Sequence, residues 1–330
     1  MRVWVTHSTR GERCGIAQYG EQLDRSLRKL GVEILLRSYD SLPLRKEVAE
    51  GDVLLFHFEP SLVTNQDAFV QCMRDARALG AKVALCCHWY RHDDTTRYDS
   101  LVNRYVLHRT YPDAGSQSVV IPLGAPLYEL PPEERSALRA RLGLPADKIV
   151  LTTVGFLSEW KRMPDVVERL ADVLPSEMVI RVQSPPQFSA VGKAHYQQDV
   201  AMRRAAEKWP GRVILSLDFL PERDLTDLVH ASDLGFLYHP IDTGSVSAAT
   251  KQFVSGRTPV VVTGSTHAVD VVRGVRRVGS FEVDVFAKEV VRIAADAGLL
   301  EKLRKGIALE YERINMDVVA KKYVEEFQKL

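Results

Sequence analysis

Leu151-Thr-Thr-Val-Gly-Phe-Leu-Ser-Glu-Trp-Lys161 is an apolar, β-branched run broken by a glycine, with a lysine just beyond the turn. Such a run reads as a buried strand, and the glycine allows the chain to turn sharply at its carboxyl end. Later in the same half, Asp242-Thr-Gly-Ser-Val246 reads as a small-residue turn opening a helix that leads into Gly256-Arg-Thr-Pro-Val-Val-Val-Thr263. One loop carries a cation and the other offers bare backbone N–H groups, and both follow strands. Phosphates are held by such parts, so the pair predicts a chain that binds a nucleotide diphosphate.

Outward from these loops the pattern is regular. Before the first, a helix is expected over Pro132–Leu142 and a strand over Lys148–Val154. After it come helix Pro164–Leu174, strand Met178–Gln183, helix His195–Lys208, strand Val213–Ser216, helix Glu222–Ala231, strand Leu234–Leu237, helix Ser245–Ser255 and strand Pro259–Thr263. The amino-terminal half alternates in the same way. Strands are expected at Arg2–Thr6, Val32–Ser38, Asp52–His57, Lys82–Cys87 and Ser118–Pro122, with helices at Ile16–Leu30, Asp67–Leu79 and Tyr98–Arg109. Strict alternation predicts parallel, doubly wound sheets with binding loops at the carboxyl ends of the strands. Ile121-Pro-Leu-Gly-Ala-Pro126 marks a crossing between domains. The fold class is therefore α/β, with two Rossmann-like doubly wound domains facing a cleft: 1–125, and 126–317, with 318–330 packing back on the first.

Composition narrows the partners. The 330 residues hold 44 Lys+Arg against 43 Asp+Glu, a balance that argues against nucleic acid. No apolar run reaches membrane-spanning length and the first residues read as a strand, which gives a cytoplasmic expectation. Cys14, Cys72, Cys86 and Cys87 lack metal-ligand spacing along the chain, so reduced thiols and no metal are expected.

Several loop residues are candidates for chemistry. Gly15 precedes the first helix, either as a turn glycine or as the point where a ligand approaches the helix N-terminus. Glu59, after a strand, either accepts hydroxyls or a proton, or caps a loop. His88, in His88-Trp-Tyr, either bonds a sugar hydroxyl beside its aromatic neighbours or serves as a structural imidazole. Arg91-His-Asp-Asp94 reads as a solvated loop. Lys161 can meet a phosphate above the Gly155 turn, and Phe219 with Leu220 can pack on a base. Asp242 or Thr243 is the expected N-cap before Gly244 and Ser245.

With these residues in view the chain resembles a retaining glycosyltransferase of the large family 4 type, with the GT-B fold. The resemblance rests on Cys14-Gly-Ile-Ala-Gln-Tyr19, His57-Phe-Glu59, Val120-Ile-Pro-Leu-Gly-Ala125, Thr153-Val-Gly-Phe-Leu157 with Lys161, Phe219-Leu-Pro-Glu-Arg-Asp-Leu225, Leu228–Pro240 and Gly256-Arg-Thr-Pro-Val-Val261. It implies that Gly15 approaches the donor phosphate, His88 the donor sugar and Lys161 the pyrophosphate, while Asp242, Thr243, Gly244 and Ser245 cradle sugar and phosphates. It also implies a nucleotide-diphosphate sugar as co-substrate, no metal requirement, and a glycan or lipid-linked acceptor, the latter bringing peripheral membrane contact. Members of the family usually carry two glutamates around the last loop. Here Asp242-Thr243 and Lys251 stand there, which would set a lysine facing the ribose, and Phe156 replaces a common arginine. These departures leave a catalytically silent scaffold of the same fold as the rival expectation.

Overall fold

The computed structural model describes residues 1–6, 15–37, 47–60, 63, 65–186, 192–241 and 245–330. They form two compact units, Met1–Leu127 with Thr243–Val246 and Ile314–Leu330, and Tyr128–Asp242 with Ser247–Arg313. The first unit contains β1 (Arg2–Thr6), α1 (Gly15–Lys29), β2 (Glu33–Arg37), β3 (Val53–Phe58), α2 (Gln66–Ala78), β4 (Lys82–Cys87), α3 (His92–Thr95), β5 (Arg104–Leu107) and β6 (Ser118–Val120). The second contains α4 (Arg135–Arg141), β7 (Ile149–Val154), α5 (Met163–Val173), β8 (Met178–Gln183), α6 (Gly192–Lys208), β9 (Val213–Ser216), α7 (Glu222–Ala231), β10 (Leu234–Leu237), α8 (Ala248–Ser255), β11 (Val260–Thr263), β12 (Val275–Val278), α9 (Val283–Ala294) and α10 (Ala297–Ile314). The closing helix α11 (Met316–Phe327) belongs to the first unit.

Both sheets have six strands, paired in parallel throughout. The first runs β2-β1-β3-β4-β5-β6 and the second β12-β11-β10-β7-β8-β9. Strand order therefore reverses between β1 and β3 in one unit and between β7 and β10 in the other. Ligands of open α/β sheets settle outside the carboxyl ends at such reversals.

Period-two burial explains how each sheet acquires two cores. In the first unit Val3, Val5, Leu55, Ala84, Cys86 and Val106 enter one core, while Trp4, Leu54, Phe56, Leu85, Tyr105 and Leu107 enter the other. Helix α11 covers the first of these faces with Met316, Val319, Ala320, Tyr323 and Phe327, a helical i, i+3, i+4, i+7, i+11 stripe. It is tied down by backbone pairing of Ala125 N–H to the Ile314 carbonyl at 2.8 Å and Met316 N–H to the Ala125 carbonyl at 2.9 Å. Asn315 caps it, its side-chain oxygen accepting from Val318 N–H.

Three local expectations are corrected. The segment Tyr98–Arg109 is not a helix: a short turn ends at Tyr98 and Arg104–Leu107 is β5. Alternation wins because Tyr105 and Leu107 fill one core and Val106 the other, which a strand allows and a helix does not. The helix expected from Ser245 begins at Ala248, and its cap is Ser247, whose Oγ accepts from Thr250 N–H, rather than Asp242 or Thr243. Arg91-His-Asp-Asp94, read as a loop, contributes to α3.

Lys251 corrects a fourth. Its ammonium does not face a ribose: it is 1% exposed and bonds a carboxylate oxygen of Asp270, 9% exposed, at 2.8 Å. Two ions withdrawn from water in this way depend on each other, because removing one leaves the other charged and uncompensated. We expect Lys251→Met to lower unfolding stability by about 3–5 kcal/mol, and adding Asp270→Asn to restore part of the loss by removing the stranded charge. Denaturant unfolding of the two variants measures both changes.

Candidate functional site

In the second unit the Gly155 turn follows β7, beside the order reversal. Gly155 has φ +116°, in the half of conformational space that disfavours side chains. A methyl group placed on it would lie 3.5 Å from Ala249 Cβ and 3.7 Å from Lys161 Nζ. The turn is thus flanked by the first turn of α8 on one side and an ammonium on the other. Lys161 Nζ donates to the Phe156 carbonyl at 3.0 Å and lies 5.6 Å from the centroid of the Trp160 ring. Burial lowers its pKa to about 8. An ammonium strained in this way gains from an arriving anion.

Around this turn the structure gathers residues that sequence reasoning passed over. Phe156 and Phe219 stack with centroids 6.2 Å apart and planes 23° from parallel. The departure at Phe156 therefore makes an aromatic partner for the predicted base-packing residue, and Leu220 lies half-buried beside Phe219. Trp160, His239 and His267 form a second stack, with centroid spacings of 5.5, 5.4 and 4.6 Å. His239 is held by its backbone, whose N–H donates to Thr263 Oγ1 while its carbonyl accepts from the same hydroxyl. Burial, and then the nearby His267 and Lys161, keep its imidazole far below the usual histidine range and hence neutral. His267 donates through Nε2 to the Ile241 carbonyl at 3.0 Å. The signal for both was their place just after β10 and β11, at the carboxyl ends.

In the first unit, His57 is the last residue but one of β3, His88 follows β4 and His108 follows β5. Cys86 is the cross-strand register partner of His57. His57 Nδ1 lies 3.0 Å from His88 Nε2. Cys86 Sγ lies 3.8 Å from His88 Nε2, 3.5 Å from His108 Nε2 and 3.1 Å from the Tyr323 hydroxyl. Tyr19 packs edge-on against all three imidazoles and its hydroxyl lies 3.2 Å from that of Tyr323. Of the imidazoles and the thiol only His88 is half-exposed. Burial pushes the Cys86 thiol up to about 12, the Tyr323 hydroxyl opposing it. The structure thus places His88 inside a polar cluster, with Cys86 among histidines that no local spacing reveals.

The remaining candidates are placed as follows. Gly15 is the first residue of α1, and Glu59 is half-buried one residue past β3. Ser245 pairs as an isolated antiparallel bridge with Trp89, in the first unit. Asp242, Thr243 and Gly244 lie outside the described residues. Among the described residues no helix is long and apolar enough to cross a membrane.

No protein-family model matches the sequence, and none of the curated proteins does. Solved structures do match in shape. The Anabaena protein Alr3699/HepE, in complex with UDP and glucose, is similar at a TM-score of 0.77 with 14% identity, covering 100% of each chain. A glycosyltransferase from Rickettsia africae is similar at 0.74 with 11% identity, covering 99% of this chain and 98% of that one. The α,α-trehalose-phosphate synthase (UDP-forming) from Burkholderia vietnamiensis reaches 0.66 with 12% identity, covering 97% and 81%. At such identities the likeness establishes the fold, two Rossmann-like domains of the GT-B type.

The lowered pKa of Lys161 gives the anion site a pH signature. Below about pH 8 the ammonium is charged and attracts a diphosphate; above it the charge is lost. Inorganic pyrophosphate affinity, followed by calorimetry from pH 7 to 9, should fall through that value. In Lys161→Arg, whose guanidinium stays charged, the fall should disappear.

Proposed function

We propose that the chain transfers a sugar from a nucleotide-diphosphate donor to an acceptor hydroxyl, with retention at the sugar carbon. The observation that carries this reading is the convergence at Gly155 of a bare backbone turn, the Lys161 ammonium and the first turn of α8. When the donor's glycosidic C–O bond breaks, the departing diphosphate gains negative charge. A nearby ammonium and helix N-terminal N–H groups stabilise that charge more in the transition state than in the bound donor. Lys161 is half-buried, so its attraction is stronger than that of a hydrated surface lysine. These groups do the work that Mg²⁺ does elsewhere, and no metal is needed at the diphosphate.

The stacked Phe156 and Phe219 offer apolar faces for the nucleobase, with Leu220 beside them. Because Alr3699/HepE is solved with UDP and with UDP-glucose, a uridine diphosphate sugar is the first donor to test. In the first unit, His88 is the half-exposed imidazole assigned to a sugar hydroxyl, and Glu59 the carboxylate assigned to the acceptor proton. Gly15, Asp242, Thr243, Gly244 and Ser245 keep the phosphate and sugar contacts that the resemblance implies, and the acceptor is a glycan or a lipid-linked sugar. A silent scaffold of the same fold is favoured by one observation: Lys251 is locked to Asp270 and supplies no carboxylate toward a donor.

Titration with UDP, other nucleotide diphosphates and their sugars, read by thermal unfolding, separates the two. A working pocket should add roughly 2.7 kcal/mol at a hundred times the dissociation constant, selectively for one base. Lys161→Ala should cost about 1.5–3 kcal/mol of diphosphate binding, and abolish sugar transfer while the protein stays folded. Silence across the whole panel from a folded protein would leave the scaffold reading in place.

A further inference from the structure

We propose that His57, Cys86 and His88 form a binding site for Zn²⁺ in the first unit, with His108 beside the sulfur. The inference shares His88 with the sugar-transfer reading but does not depend on the second unit's Gly155 turn, which carries that reading.

The three residues arise from one face of two adjacent parallel strands, and His108 from the same face of a third. Side chains on a strand alternate, so Leu55 and His57 on β3, Ala84, Cys86 and His88 along β4, and Val106 and His108 along β5 project to the same side. The deeper residues of each series, Leu55, Ala84 and Val106, belong to the core beneath α11. The outer residues would continue that core if they were aliphatic, as central strands of parallel sheets usually are. They are instead a thiol and three imidazoles, almost entirely buried apart from His88.

Their spacing is that of a coordination shell. The donor atoms of His57, Cys86 and His88 all lie within 4.8 Å of one another. A tetrahedral Zn²⁺ with Zn–N near 2.0–2.1 Å and Zn–S near 2.3 Å sets nitrogen pairs about 3.3 Å apart and nitrogen–sulfur pairs about 3.6 Å apart. The corresponding distances here are 3.0 Å for the nitrogens and 3.8 Å for His88 to the sulfur. Both differ from the tetrahedral spacing by only a few tenths of an ångström.

The surroundings orient the donors as metal ligands are oriented elsewhere. His108 Nδ1 lies 3.0 Å from the Ile121 carbonyl, which can only accept. The proton is therefore on Nδ1, and the Nε2 lone pair faces Cys86 Sγ at 3.5 Å. Tyr323 places a hydroxyl 3.1 Å from the sulfur, so that its O–H can donate to a thiolate. When Zn²⁺ binds, the Cys86 S–H proton leaves to solvent or buffer and the sulfur gives its electron pair to the metal. The donors sit at strand ends rather than on a loop, and half-exposed His88 provides the way in. Ligation through Nε2 leaves Nδ1 of His88 for a sugar hydroxyl.

The test is metal binding by the full chain after treatment with a chelator. Zn²⁺ titrated against a chromophoric competitor should bind at one equivalent and raise the thermal midpoint. Co²⁺ in its place should give intense tetrahedral d–d bands and a thiolate-to-metal charge-transfer band. Cys86→Ser should remove the charge-transfer band, and His88→Ala, at the exposed edge of the cluster, should weaken Zn²⁺ binding by 10-fold or more. Circular dichroism checks that each variant folds; if Cys86→Ser does not, His88→Ala carries the test. Absence of stoichiometric binding, a Co²⁺ spectrum without the thiolate band, or affinity unchanged in His88→Ala would overturn the site. Nucleotide titration of chelator-treated and Zn²⁺-loaded protein reports on the donor pocket separately.

Discussion

The candidate sites are constrained by two sheets whose central strands are buried on both faces. A parallel strand covered by helices has no wet side, so groups that must meet a ligand are confined to the loops where strands end. The Gly155 turn, Lys161, Phe219, His239 and His267 all follow carboxyl ends in the second unit; in the first, His88 and His108 do so and His57 lies in the last two residues of β3. Some buried polar groups have a partner already supplied. Thr152 Oγ1 lies against Ser232 Oγ at 2.5 Å, and Lys251 bonds Asp270.

The same constraint explains what could be read in advance. Strands such as Arg2–Thr6, Lys82–Cys87, Met178–Gln183 and Leu234–Leu237 coincide with their expected limits, because continuous apolar runs between turn signals have few other uses. β5 was missed for the opposite reason. Arg104-Tyr-Val-Leu is short, opens with a charge and follows a turn rich in polar residues, and only its neighbours β4 and β6 make it a strand. Helix starts shifted because capping depends on which of several serines and threonines has the right backbone angles. Ser247 does, at φ −86° and ψ 118°.

The candidate sites were legible to different degrees. Gly155 and Lys161 are close in sequence, so their association could be read from one segment. Phe156 with Phe219, and Trp160 with His239 and His267, are assembled from loops about sixty to over a hundred positions apart, and no local spacing announces them. Cys86 was discounted on ligand spacing along the chain. The relevant spacing runs across the sheet, where the register sets Cys86 beside His57. Lys251 misled because a charge near an expected ligand was read as facing it, whereas Asp270 neutralises it internally.

Helix α11 has a consequence for the order in which the protein is made. The first unit's sheet is synthesised early, yet one of its faces is completed by Met316, Val319, Tyr323 and Phe327. The second unit's elements from α4 to α10 are all translated before α11 leaves the ribosome. Domains commonly fold as they emerge, amino-terminal first; here the amino-terminal unit waits with an uncovered apolar face while its successor can close. The nascent first unit is thus the part that a chaperone would shield, and its release is timed by the last helix.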